Sequence, residues 1–205
     1  MTTIETIEIS SKTAGLRERK KQQTRNAIHE AAFRLIDTRG LDSTTVDEIC
    51  EQAEVSTRTF FNYFPSKAAA ALEFQGTSID PTVAAAFRSA SGSLVMALCD
   101  VIGSSAERGP SVARMKHLLA RRPELLKTAT QMMVEMREMY ISLAAERAND
   151  RAQAELAVTL VMAALSKTMH DGDNSGKPIH EQLRATVTSL IAVSRDEMPP
   201  ARPGL

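Results

Sequence analysis

Apolar residues in the first third of the chain recur at three- and four-residue spacings. Ala27, Ile28, Ala31, Leu35 and Ile36 stripe one face of a helix predicted over 19–38. Gly40 ends it, because glycine just past a helix takes the left-handed conformation that closes the last turn. Thr45-Val46-Asp47-Glu48 then reads as a capping box, with Thr45 satisfying a first-turn N–H and Glu48 reaching back. Val46, Ile49, Cys50 and Ala53 form the inward face of that second helix. Ser56 caps a third helix reaching about Tyr63, with Val55 in the tight turn between. Two short helices joined so closely predict a helix-turn-helix. Pro65 ends the third helix, since the residue before proline is pushed out of the α region. Ser66 caps a fourth helix from Lys67.

The rest of the chain continues in helical periods. Asp80-Pro81 is a cap followed by proline at the first helical position. Gly92, Gly103 and Gly109-Pro110 punctuate the stretch after it. Pro123 opens a long helix to about Arg147, striped by Leu126, Ala129, Met133, Met136, Tyr140 and Leu143. Asn149 or Asp150 caps a helix over 153–170, and Pro178 starts a last one reaching about Arg195. The predicted fold is all-α, with about nine helices. A flexible basic arm (1–18) precedes a three-helix headpiece over 19–66, its helix-turn-helix at 45–64. A connecting helix and loop (67–80) leads to a helical body over 81–197, then a disordered tail, 198–205. The 205 residues suit one small and one larger domain.

Composition sharpens this picture. The chain is 43% hydrophobic, enough to bury a core, and rich in Ala, Met, Leu, Glu and Arg, which lose little rotamer freedom in a helix. It holds no apolar run of the roughly 18 residues a bilayer span needs. Its first residues lack the apolar core of a secretion signal, so a cytoplasmic location is expected. Cys50 and Cys99 sit inside apolar helical patterns and are expected to be buried, reduced thiols. The formal net charge is zero, but its distribution is uneven: Lys12 to Arg39 holds eight basic residues against three acidic ones. A basic cluster on one short segment is what neutralising DNA phosphates requires.

Catalytic signals are missing. The four histidines show no paired metal-ligand spacing, and no Gly-rich phosphate loop or nucleophile elbow is present. Neither an enzyme nor a cofactor or metal is expected. Asp171, Asp173, Ser175 and Gly176 match the first half of a calcium-binding loop. Gln182 stands where a bidentate Glu is required, and Pro178 intrudes, so the stretch reads as a polar helix connection.

From Thr24 to Lys67 the chain resembles the DNA-binding headpiece of the TetR family of transcriptional regulators. The resemblance is carried by Thr24-Arg25, Ala31-Ala32, Gly40, Thr44-Thr45-Val46 with Ile49, Val55-Ser56, Thr59-Phe60, Phe61-Asn62-Tyr63-Phe64 and Ser66-Lys67. A recognition helix enters the major groove by its N-terminal half. There Arg58 can pair bidentately with guanine and Asn62 with adenine, while Thr57 and Phe61 offer apolar contact to a thymine methyl. Thr59 lies on the same helix. Thr45, Tyr63 and Lys67 suit phosphates, and Arg25 is a further expected DNA contact. Phe60 and Phe64 face the core. Three positions depart from the family pattern: Glu54 where the turn usually carries glycine, Phe61 in place of a tyrosine, and Ala68 in place of an acid.

The resemblance further implies a homodimer on double-stranded operator DNA and a small-molecule effector. Paired recognition helices roughly 34–36 Å apart would meet successive major grooves. Leu156, Leu160, Ala164, Val187, Leu190 and Ile191 on the last two helices are the expected dimer faces. Met115, Met132, Met133, Met136, Tyr140 and Met162, with His117 and His170, are the expected lining of an apolar or amphipathic ligand site, methionine adapting readily to such pockets. The function so implied is a repressor that its ligand releases from DNA. The alternative is a helical adaptor that binds protein rather than DNA, which neutral total charge and Glu54 favour.

Overall fold

The computed structural model describes the backbone over residues 3–74, 79–108, 112–171 and 176–195, and side chains from Arg19 onward except at 108, 112 and 171. Among the described residues there are ten α-helices, one 3₁₀ turn and no strand. The helices are α1 (Thr3–Arg39), α2 (Val46–Gln52), α3 (Thr57–Tyr63), α4 (Lys67–Ala71), α5 (Pro81–Ser89), α6 (Leu94–Arg108), α7 (Val112–Arg121), α8 (Leu126–Ala145), α9 (Arg151–Asp171) and α10 (Ile179–Ser194), with the 3₁₀ turn at Pro123–Leu125. Gly109-Pro110, the centre of the calcium-loop-like segment at 172–175 and the tail 198–205 lie outside the described residues.

Helix α1 begins at Thr3, well before the expected start near residue 19. The first proline of the chain is Pro65, and Lys12 to Gln23 is mostly Lys, Arg, Glu, Gln, Leu and Ala, residues that enter a helix at little cost. Its other end is as expected. Gly40 has φ +89° and its N–H donates to the Ile36 carbonyl at 2.8 Å, closing the last turn.

The chain forms two compact units, one of residues 1–76 and 113–132, the other of 77–112 and 133–205. The first is built on Ile28, Ile36, Ile49, Phe60 and Phe64, all at most 1% exposed. Leu118, Leu125 and Met132, seven residues apart in sequence, join the same cluster. Residues 113–132 therefore belong with the headpiece core, although the sequence pattern groups them with the body. Polar ties accompany the packing. Arg114 holds Glu30 through both guanidinium nitrogens at 2.6 and 2.9 Å and lies 4.3 Å from the Phe33 ring centre. Arg122 donates to the Asp37 carbonyl at 2.6 Å, satisfying a group that the end of α1 leaves unpaired.

The second unit packs α5, α6, α9, α10 and the later part of α8 around Phe87, Leu98, Ile102, Ile141, Val158, Val161 and Leu183. Helices α6 and α10 approach so closely that a Cβ on Gly103 would lie 2.6 Å from the His180 Cα. Both cysteines are buried and free. Burial raises the Cys50 thiol above its ordinary value and pushes Cys99 up to about 11, which keeps both protonated and unreactive.

Candidate nucleic-acid interface

The geometry of α2 and α3 follows from their caps. Thr45 precedes α2 in an extended conformation; its hydroxyl oxygen accepts from the Glu48 N–H at 3.2 Å, and Glu48 accepts from the Thr45 N–H at 2.8 Å. The Thr45 N–H first, and then the Thr45 hydroxyl, which donates to the same carboxylate at 2.9 Å, hold the Glu48 carboxyl below its ordinary value, with Arg39 adding to the effect. Ser56 caps α3 by accepting from the Thr59 N–H at 3.1 Å. Between them α2 ends in a paired turn: the Glu54 N–H donates to the Glu51 carbonyl at 3.3 Å, and the Val55 N–H to the Cys50 carbonyl at 3.0 Å. That closure puts the middle residue in the left-handed region, and Glu54 has φ +54°.

A side chain in that conformation costs roughly 1–2 kcal/mol. Glycine removes the strain but loses more chain entropy on folding, roughly 0.5–1 kcal/mol. Glu54→Gly is therefore expected to stabilise the first unit by up to about 1 kcal/mol. A denaturant midpoint that stays put or falls would show that this turn carries no net strain.

Helix α3 divides by its period. Phe60 and Phe64 are buried, their ring centres 6.4 Å apart, while Thr57, Arg58, Phe61 and Asn62 are exposed. Phe61 leaves 55% of its surface open, an apolar group ready for contact with a partner. Thr57 donates its hydroxyl proton to Asp47 on α2 at 3.3 Å, and Thr59 shares its hydroxyl with Ser56 at 2.8 Å. Thr45 is exposed; Tyr63 is half-buried against the core. Lys67 is partly buried and donates to the Thr44 carbonyl at 2.7 Å, tying the start of α4 to the loop before α2.

Arg25 stands apart from this face, although its place in the sequence pattern suggests a DNA contact. It is 7% exposed, and its guanidinium meets the Glu73 carboxylate at 3.1 Å. Burial pushes the guanidinium below its ordinary value, and Glu73 partly offsets this. Glu73 is a further residue that sequence reasoning missed. It follows α4 at φ +57°, its N–H donating to Ala70 at 3.1 Å and the Phe74 N–H to Ala69 at 2.8 Å. It thus repeats at the end of α4 the turn that Glu54 makes after α2.

The residues expected around a ligand fall in different places. Met115 and Met132 pack with the first core, and His117 is exposed. Met136, Tyr140 and Met162 belong to the second core, where Tyr140 is 2% exposed. Met133 is 60% exposed and His170 is also exposed. None of them lines the open polar groove of about 480 Å³ formed by Asp100, Ser104, His180, Glu181 and Arg184. Of the expected dimer faces, Ala164 and Val187 are fully buried in the second core. Leu160, Leu190 and Ile191 are half-buried, and Leu156 is 72% exposed.

A capped helix pair with a left-handed turn, a buried aromatic face and an exposed face of Thr57, Arg58, Phe61 and Asn62 is a helix-turn-helix DNA-binding domain. Residues 28–73 match the model of the bacterial regulatory proteins, tetR family. Over those residues the chain carries that family's DNA-binding headpiece. A curated relative, the HTH-type transcriptional regulator TcmR of Streptomyces glaucescens, is 45% identical over 58 residues, covering 28% of this chain and 26% of that protein. The match thus spans about a quarter of the relative's own length. Among solved structures, a Mesorhizobium loti protein assigned to the tetR family of regulators aligns with TM-score 0.45 and 18% identity over 84% of this chain and 96% of that one. A TerR/AcrR-family regulator of Aquifex aeolicus aligns with TM-score 0.46 and 13% identity, over 83% and 99%.

Proposed function

We propose that the protein is a transcriptional repressor that binds double-stranded operator DNA as a homodimer and is released by a small apolar or amphipathic effector. The observation that carries the DNA reading is the exposed face of α3, with Arg58 and Asn62 beside the apolar Phe61 and Thr57. Arginine on guanine and asparagine on adenine are the commonest direct readouts of base edges. Two copies are needed for usable affinity, because a single short helix meets few bases. The exposed Leu156 on α9 and Val193 on α10, 72% and 61% open, offer apolar surface for the pairing. Effector binding in the second unit would shift the two headpieces, and coupling of about 1–3 kcal/mol suffices for release.

Selection of a duplex from random sequence, then fluorescence anisotropy with wild type and Arg58→Ala, tests the reading. Arg58→Ala is expected to cost about 1–3 kcal/mol on the selected duplex and to relax preference at one base pair. Equal binding of all duplexes by wild type would defeat it. One observation favours the adaptor reading: between residues 41 and 66 a lone base, Arg58, faces five acids, Asp42, Asp47, Glu48, Glu51 and Glu54. Salt separates the two, since phosphate-driven binding weakens steeply as salt rises and apolar protein association does not.

A further inference from the structure

We propose that the N-terminal part of α1 is a second DNA-binding element, in which Arg19, Lys20 and Lys21 hold the phosphate backbone flanking the bases that α3 reads. The inference rests on the DNA reading above and answers its electrostatic difficulty. With five acids against one base, the segment 41–66 repels a duplex rather than attracting it. Among the residues expected on DNA, Arg25 is buried against Glu73 and Lys67 is committed to the Thr44 carbonyl. The counter-charge must therefore come from elsewhere in the unit.

Helix α1 supplies it. Arg19, Lys20 and Lys21 are exposed, and among the described residues none forms an ion pair. Their place is fixed by Arg25, whose guanidinium carbon lies 6.0 Å from the ring centre of Phe64, the residue that ends α3. Lys21 is four residues earlier, hence on the same side of the helix and about 6 Å further along its axis. The basic group therefore begins about one helical turn beyond the residue that reaches the end of the recognition helix. From there α1 continues back to Thr3, roughly 24 Å of further helix over residues 3–18. There Lys12 and Arg17 stand against Glu5, Glu8 and Glu18, so the cations of the element are Arg19, Lys20 and Lys21. A duplex presents one negative charge per about 1.7 Å, so three consecutive cations beside the read site can meet more than one phosphate.

The test uses the full chain and the selected duplex, either with about ten flanking base pairs on each side or trimmed to the read site. The triple variant Arg19→Ala, Lys20→Ala, Lys21→Ala is compared with wild type across salt concentrations, with circular dichroism confirming its helix content. Losing three phosphate contacts is expected to make the log–log salt slope shallower by about 2–3. Affinity is expected to fall at least tenfold on the selected duplex and on random DNA alike, with base preference kept. Trimming the flanks is expected to abolish the difference between the proteins. An unchanged slope in the triple variant, while Arg58→Ala still loses base preference, would overturn the second element and leave α3 as the reader. No salt-dependent binding by wild type to any duplex would overturn both readings, and it differs from the first failure because wild type itself fails.

Discussion

Phe60→Ala is expected to destabilise the first unit by about 3–5 kcal/mol, the usual cost of removing a fully buried phenylalanine. Phe60 has no exposed surface and packs in the cluster that holds Ile28, Ile49 and Phe64. Small domains have only about 5–15 kcal/mol in total, so a headpiece that loses this much unfolds well below its normal temperature. Calorimetry is the suitable measurement, because the two compact units need not unfold together and the chain has no tryptophan to report on either. The expected trace shows a lower first transition with the rest in place. The neighbouring Phe61→Ala is the matched control. It removes a ring that is 55% exposed, so stability changes little while affinity for DNA falls. Equal thermal effects of the two variants would mean that α3 is turned differently about its axis.

That contrast was legible in the sequence, because it depends only on local rules. A three-and-four period separates Phe60 and Phe64 from Phe61 and Asn62, and the caps Thr45, Ser56 and Ser66 mark each helix start by side-chain chemistry three residues deep. Glu54 was legible too, as a departure whose cost the observed φ of +54° now locates. What could not be read were choices of partner across long separations. Leu118, Leu125 and Met132 carry an apolar spacing that fits any core, and nothing local says that they join the headpiece rather than the body. Ala164 and Val187 lie on apolar stripes that serve a neighbouring helix and a second subunit equally well, and the structure spends both on the neighbour. The start of α1 was missed for a different reason: a polar helix has no apolar stripe to announce it.

Arg25 shows the same limit in a form that an experiment can resolve. Its position in the pattern suggests a DNA contact, but its partner, Glu73, lies 48 residues away. The side chains of Arg25 and Glu73 are 9% and 13% exposed. Removing one member of such a pair strands the other charge out of water, which typically costs about 3–5 kcal/mol. Arg25→Ala is expected to cost about that much, because it leaves the Glu73 carboxylate, 13% exposed, without the guanidinium it meets at 3.1 Å. His29, whose Nε2 is 3.9 Å from the Glu73 carboxylate, is too distant to replace a direct hydrogen bond. Arg25→Ala combined with Glu73→Gly removes the orphaned charge and the left-handed strain together, and most of the lost stability is expected to return. If Arg25→Ala instead leaves the unfolding transition unchanged and only makes the salt slope of DNA binding shallower by about one, then Arg25 is a phosphate contact after all and its pairing with Glu73 opens on DNA.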